Sequence, residues 1–190
     1  SGKTTLAKLL VGLYKPNSGA ILVDGVDIRQ IDPADLRRNI GVVMQESWLF
    51  SGSIKQNIAV GGNNPSDEDI LQASMLSGVH EFVSKHPDGY GYKLKEKGEG
   101  LSGGQRQAIN IARALVGRPP ILLMDEPTSA MDLSHESDLI ANLKNQVVTQ
   151  TILMITHRTS ILELATRVLV LDQGKLVAQG PKTEFMRNQS

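Results

Sequence analysis

The stretch from Leu101 to Asp132 restricts the fold more than any other part of the chain. It opens with Leu101-Ser102-Gly103-Gly104-Gln105 and continues with Ala108, Ile111, Ala112 and Leu115 at the i, i+3, i+4, i+7 spacing of a one-sided helix. Gly117 and Pro119-Pro120 stop that helix. Ile121-Leu122-Leu123-Met124 follows, a short apolar run suited to a strand buried on both faces of a parallel sheet. It ends in Asp125-Glu126 and then Pro127-Thr128-Ser129-Ala130-Met131-Asp132. A glycine-rich turn that opens a helix gathers free backbone N–H groups at the positive end of the helix dipole, which makes an anion site. Two carboxylates at the end of a buried strand suit a metal ligand and a base. Together the two halves point to phosphate chemistry.

These residues resemble a known family. Leu101 to Gln105 resembles the signature of ATP-binding cassette (ABC) ATPases, Leu122 to Glu126 their Walker B strand, and Ser129 to Asp132 their D-loop. At the start of the chain, Gly2-Lys3-Thr4 matches the end of the phosphate-loop pattern G-x-x-x-x-G-K-[ST], whose first four positions are absent. The chain therefore reads as an N-terminally incomplete fragment. It lacks the strand before the loop and the aromatic residue that stacks on adenine in relatives.

The length of 190 residues suits one domain with a sizeable core. Lys+Arg and Asp+Glu both number 20, and a balance this neutral argues against a general nucleic-acid binder. Cysteine is absent, so disulfides and thiolate metal sites are excluded. No apolar run approaches the roughly 20 residues of a membrane-spanning helix, and there is no signal-peptide pattern.

After Lys3 the spacing predicts a helix with Leu6, Leu9, Leu10 and Leu13 on one face. Pro16 to Gly19 reads as a turn, Ala20–Val23 and Val26–Arg29 as strands around Asp24-Gly25, and Asp32 or Pro33 as the start of a short helix through Arg38. Ile40 to Met44 is a buried strand that delivers Gln45. Ser66 caps a helix carrying Ile70, Leu71, Ala73, Ser74 and Leu76, Gly78 ends it, and Val79–Ser84 begins another. Asp88 to Gly100 reads as a loop. Ser134 starts a helix through Asn145. Thr151 to Thr156 is a strand ending in His157, and Val168–Leu171 and Leu176–Ala178 are strands around Gln173-Gly174, before a terminal helix. Polar residues recur at the ends of apolar strands, where open α/β sheets place ligands. The alternation of strands and helices implies an α/β fold: a P-loop-like, mostly parallel sheet flanked by helices, with an inserted all-helical subdomain. His80, His86 and His135 lack metal-ligand spacing and read as surface or packing residues.

Two segments carry open alternatives. Trp48-Leu49-Phe50, in the run from Glu46 to Ile58, either packs under the helical part or forms a hydrophobic groove for a partner helix. Glu96-Lys97-Gly98-Glu99-Gly100 is either a solvated charge run or the family's x-loop, which touches the membrane domain.

The resemblance implies an Mg²⁺-dependent ATPase. By it, Ser1, Gly2, Lys3, Thr4 and Thr5 bind nucleotide, Thr4, Gln45 and Asp125 hold the metal, Glu126 acts on the attacking water, and His157 and Gln45 complete the catalytic set. Ser102, Gly103, Gly104 and Gln105 close over the γ-phosphate of a facing subunit. Residues 1–45 and 118–190 form the catalytic core, and 46–117 the Q-loop, helical subdomain and signature helix. It further implies a head-to-tail homodimer or paired nucleotide-binding domain, docked on an exporter's transmembrane domain at the cytoplasmic face of a membrane. No nucleic acid is expected as a partner. The wording from Thr128 to Asp132 resembles bacterial type I secretion and peptide exporters. A soluble ABC ATPase acting on DNA or ribosomes, and a regulatory module without turnover, are the alternatives; an intact Glu126 argues against the second.

Overall fold

The computed structural model describes residues 2–46, 48–146 and 149–186. Ser1 and Ser47 lie outside the described residues. The elements run α1 (Lys3–Leu10), β1 (Leu22–Val23), β2 (Val26–Asp27), α2 (Pro33–Arg38), β3 (Ile40–Val43), β4 (Gly52–Ser53), α3 (Ile54–Ala59), α4 (Asp67–Ser77), α5 (Val79–Val83), β5 (Lys93–Leu94), α6 (Gly103–Leu115), β6 (Ile121–Asp125), α7 (Leu133–Gln146), β7 (Thr151–Ile155), β8 (Arg167–Asp172), β9 (Lys175–Pro181) and α8 (Lys182–Met186).

β6 is the middle of a parallel sheet, with β3 on one side and β7 on the other. Its side chains alternate as the pleat requires. Leu122 and Met124 enter a core shared with Val43, α4, α6 and α7, whereas Leu123 enters a second core with Ala7, Val11, Ile28, Leu36 and Ile155. Register pairs Val43 with Met124 and Asp125 with Ile155, so the three strands finish level. α6 lies close against β3: a Cβ on Gly41 would come within 2.3 Å of the Ala114 carbonyl oxygen. The helical segment packs on the other side of α6, with α3, α4 and α5 all against it. Among the described residues no helix is long and apolar enough to cross a membrane.

Several expected elements are shorter than their apolar runs. α1 ends at Leu10 because Gly12, at φ 69°, turns the chain off the helix axis. Leu13 is therefore 56% exposed instead of sharing the helix face, which buries Ala7 and Val11. Asp24 and Gly25 both have positive φ, 49° and 82°, as a tight hairpin turn requires. The second strand of that hairpin stops at Asp27, short of Arg29. The Asp27 carboxylate accepts from the Arg29 backbone N–H at 2.9 Å and curls Ile28–Gln30 into a 3-10 turn. The reading of 88–100 as loop misses β5, which pairs antiparallel with β4. The two strands at the C-terminal end, β8 and β9, run longer than expected and form an antiparallel hairpin apart from the parallel sheet.

Candidate functional site

The level ends of the parallel strands build the site. β3 leads to Gln45, β6 ends in Asp125 and continues to Glu126, and β7 leads to His157. The N-terminus of α1 meets them. Gly2, Lys3, Thr4 and Thr5 form one wall of a cleft of about 400 Å³; Gln45, Asp125, Glu126 and His157 form the other, with Ser129 beside them. The structure thus brings together the described residues of the phosphate loop, both strand-end acids, Gln45 and His157.

Thr4 Oγ1 donates to Asp125 Oδ2 at 2.7 Å. Asp125 is 1% exposed, and its other oxygen, Oδ1, is buried without a hydrogen-bond partner. A buried carboxylate oxygen left unpaired is unfavourable unless a cation or donor meets it. Glu126 Oε1 is likewise buried without a hydrogen bond, and Nε2 of the exposed His157 lies 3.5 Å from it. Glu126 also sits at φ 51°, a left-handed conformation that costs a non-glycine residue free energy and that persists at functional sites. Its backbone N–H donates to Ile155 O at 2.8 Å, which ties the turn to β7. A hydroxyl, a carboxylate with a spare oxygen and an amide oxygen from Gln45 form a hard oxygen donor set, the kind that magnesium takes together with phosphate oxygens. The residues present fit that ion.

Ser102, Gly103, Gly104 and Gln105 are not in this cleft. They border a second cavity, about 420 Å³, between Phe82, the start of α6 and residues Ala130 to Asp132. Ser102 caps α6: its Oγ accepts from the Gln105 N–H at 3.1 Å, and the Gln105 amide oxygen accepts from the Ser102 N–H at 2.9 Å. Because that oxygen accepts, the hydroxyl proton remains free to point outward. A Cβ on either glycine would lie 3.3 Å from Ala130, so the glycines let this turn nest against the D-loop segment. That segment spans both cavities, with Ser129 on the first and Ala130 on the second.

Leu49 is buried, but Trp48 and Phe50 are 57% and 58% exposed. Of the two readings of this loop, Leu49 follows packing, and its neighbours face outward. Lys97 Nζ lies 5.1 Å from the centre of the Trp48 ring, so the Glu96–Gly100 segment adjoins Trp48. His80 shares a 3.1 Å hydrogen bond with the Tyr90 hydroxyl, His86 packs on Tyr92, and His135 pairs with Asp132. All three are packing or surface residues.

Sequence reasoning missed two polar clusters. Asn57, 1% exposed, holds both backbone groups of Phe50, and Arg113 donates to the carbonyls of Asn57 and Trp48. Burial lowers the Arg113 pKa to about 10, which leaves it charged at neutral pH. Glu136, 2% exposed, binds Arg158 and Ser160. A polar residue's burial has no periodic signature, so neither cluster was visible.

Residues 1–129 match the family model described as ABC transporter. Over 188 residues, 99% of its length, the chain is 44% identical to the leukotoxin translocation ATP-binding protein LktB of Mannheimia haemolytica, and equally to those of Mannheimia glucosida and Bibersteinia trehalosi. The match covers 27% of those relatives, so the chain spans about a quarter of their length. A solved structure of a bacterial Atm1-family ABC exporter with ATP bound superimposes with a TM-score of 0.94 at 39% identity, over 100% of this chain and 33% of that one. With the strand-end acids, the Gly2-Lys3-Thr4 helix start and the capped glycine turn arranged as described, the chain belongs to the ABC transporter family.

Proposed function

We propose that this domain binds and hydrolyses ATP with magnesium and drives export across a membrane. The observation that carries the reading is the meeting of Lys3-Thr4, Gln45, Asp125-Glu126 and His157 at one cleft on the level ends of three parallel strands. Phosphoryl transfer is catalysed mainly by positioning and by neutralising charge. In this reading Lys3 offsets phosphate charge, while the backbone N–H groups from Ser1 to Thr5 cradle the phosphates at the start of α1. Thr4, Gln45 and Asp125 hold magnesium, which supplies charge neutralisation at the phosphate oxygens when bound. Glu126 orients the attacking water and takes its proton, and its buried Oε1, without a hydrogen bond, supports that role. His157, beside Glu126, contacts the γ-phosphate and steadies the geometry.

Ser102 to Gln105 line a different cavity, which supports a head-to-tail dimer in which they close over the nucleotide of the facing chain. Residues 1–45 and 118–190 then act as the catalytic core, and 46–117 as the segment carrying Gln45's loop, the helical part and the signature helix. The exposed Trp48 and Phe50, with Lys97 beside them, serve as the contact with a membrane-spanning partner. Gln45 borders both the cleft and the groove at Trp48, a direct path from nucleotide to that contact. The domain works at the cytoplasmic face of the membrane, and the relatives named for leukotoxin translocation favour type I secretion. In the full-length protein, Glu126→Gln removes the base and keeps Asp125. ATP hydrolysis should fall about 10²- to 10⁴-fold with ATP binding retained; turnover at the parent rate would remove Glu126 from the mechanism.

A further inference from the structure

Glu136 and Arg158 lie outside the set that contacts ATP in the proposed reading, yet they join its two halves. Glu136 projects from the first turn of α7, directly after the D-loop segment. It is 2% exposed and is bound by the Arg158 guanidinium on one oxygen and by the Ser160 hydroxyl on the other. The Thr128 hydroxyl, in a residue 1% exposed, also hydrogen-bonds to it. Arg158 reaches on from this carboxylate to the D-loop itself. Its Nη2 lies 3.5 Å from Ser129 O and 3.3 Å from Met131 O.

The other end of Arg158 fixes the turn that carries His157. Its backbone N–H donates to Thr156 Oγ1 at 2.9 Å, closing a small loop around the histidine. Thus Arg158 is bonded through its guanidinium to the carbonyls of the D-loop and joined through its backbone to the preceding His157. Ser129 borders the nucleotide cleft and Ala130 borders the signature cavity. The signature cavity is lined by Ala130 and Met131, within the segment whose carbonyls Arg158 holds. A carboxylate this buried, satisfied on both oxygens, is a rigid anchor for the arginine.

We infer that Glu136 and Arg158 are positioning residues that latch the D-loop to the histidine turn, so that closure at the signature cavity sets the position of the same chain's His157. The inference rests on the reading of the first cleft as the ATP site. The latch touches no nucleotide. Its loss therefore lowers kcat and leaves KM for ATP in place.

Steady-state ATPase of the full-length protein, reconstituted in lipid, tests this with Arg158→Lys and Ser160→Ala. The lysine keeps a positive charge against Glu136, but its single ammonium cannot also hold both carbonyls. Ser160→Ala is the milder variant and removes one hydroxyl. For Arg158→Lys the expected result is a kcat lower by about 10- to 100-fold with KM within about twofold, the scale of a small misplacement of a catalytic group. Ser160→Ala should shift kcat in the same direction by less. Unfolding midpoints, measured alongside, should fall by several degrees, because each variant takes a partner from the buried Glu136 carboxylate, with both proteins still folded at the assay temperature. Parent-level kcat in both folded variants overturns the latch, as does a loss that appears only as a lower midpoint and a smaller folded fraction. Glu126→Gln run in parallel separates the two claims. If that variant hydrolyses ATP at the parent rate, the ATP-site reading has failed and the latch falls with it. If it is inactive while both latch variants are unchanged, the latch alone is wrong.

Discussion

At Ser102 one side chain has two jobs that substitution can separate. Its oxygen caps α6, and in the proposed reading its hydroxyl also meets the phosphate of the facing chain. Ser102→Ala removes both and should destabilise the domain by about 1 kcal/mol, whereas Ser102→Gly should cost only a few tenths, because glycine is tolerated at an N-cap. Both variants should lose the same amount of nucleotide-dependent closure if the hydroxyl contacts phosphate. Denaturant unfolding together with nucleotide trapping checks this; closure that follows stability would leave the hydroxyl with the capping role only. Glu136 offers a pH test. Burial raises its pKa, but the hydrogen bonds from Ser160, Thr128 and Arg158 and the arginine's charge outweigh it, and the net pKa lies below the ordinary 4.5. A depressed folded pKa gives stability that is present above the unfolded value and is lost as pH falls through the folded one. Glu136→Gln should therefore cost about 2 kcal/mol near neutral pH, in the range for hydrogen bonds to a charged group. That difference should shrink below about pH 4.5. A penalty independent of pH would mean that the carboxylate's charge contributes nothing.

Among the elements, legibility followed length and period. α4 and α6 had enough turns to display their apolar stripe; the Ser66 cap stood where it was expected, and Ser102, read only as part of the glycine-rich turn, caps α6. β6 could be read because both its faces are buried, so its apolar run is continuous. β4 and β5 have two residues each, and two residues carry no period; their pairing depends on chain brought back from some forty residues away. The site was legible where chemistry coincides with a strand end, at Gln45, Asp125 and His157. The buried polar clusters at Glu136, Arg158 and Arg113 were not legible, because their burial comes from other elements. The loop from Trp48 to Phe50 shows both cases. Its apolar residues stood out, but only folding separates the buried Leu49 from the exposed Trp48 and Phe50. Arg113 and Asn57 hold the backbone of this loop on α6 and α3, and Arg113 and Lys97 lie against the Phe50 and Trp48 rings, which stay more than half exposed. Trp48→Ala should then change stability by no more than about 0.5 kcal/mol, as exposed positions do. In the full-length protein it should uncouple ATP turnover from transport while leaving basal turnover intact. A large drop in unfolding midpoint would return Trp48 to a packing role.

Across the whole molecule, the two groups of residues border separate cavities, and this separation is what supports the proposed head-to-tail pair. The phosphate-loop end and the strand-end acids share one cleft, and the glycine turn of α6 borders another, with the D-loop between them. α6 packs so closely on β3 that Gly41 allows no additional atom, which fixes the position of the helix that carries the glycine turn. Two chains placed head to tail give two sites, each with one chain's Lys3 and the other chain's Gly104. In a homodimer of Lys3→Ala, or of Gly104→Asp, every site carries one defect. Gly104→Asp adds both bulk against Ala130 and a negative charge where phosphate is to sit. When the two variants are mixed as full-length proteins, heterodimers collect both defects in one site and none in the other. About half of the dimers in an equimolar random mixture are heterodimers, so trapped nucleotide should recover to roughly a quarter of the parent's two sites per dimer, the statistical expectation for symmetric pairing. Trapping is the better readout than turnover, because it reports a single intact site whether or not turnover requires two. If each site were completed within one chain, every site in the mixture would remain broken and trapping would stay at the level of either variant alone.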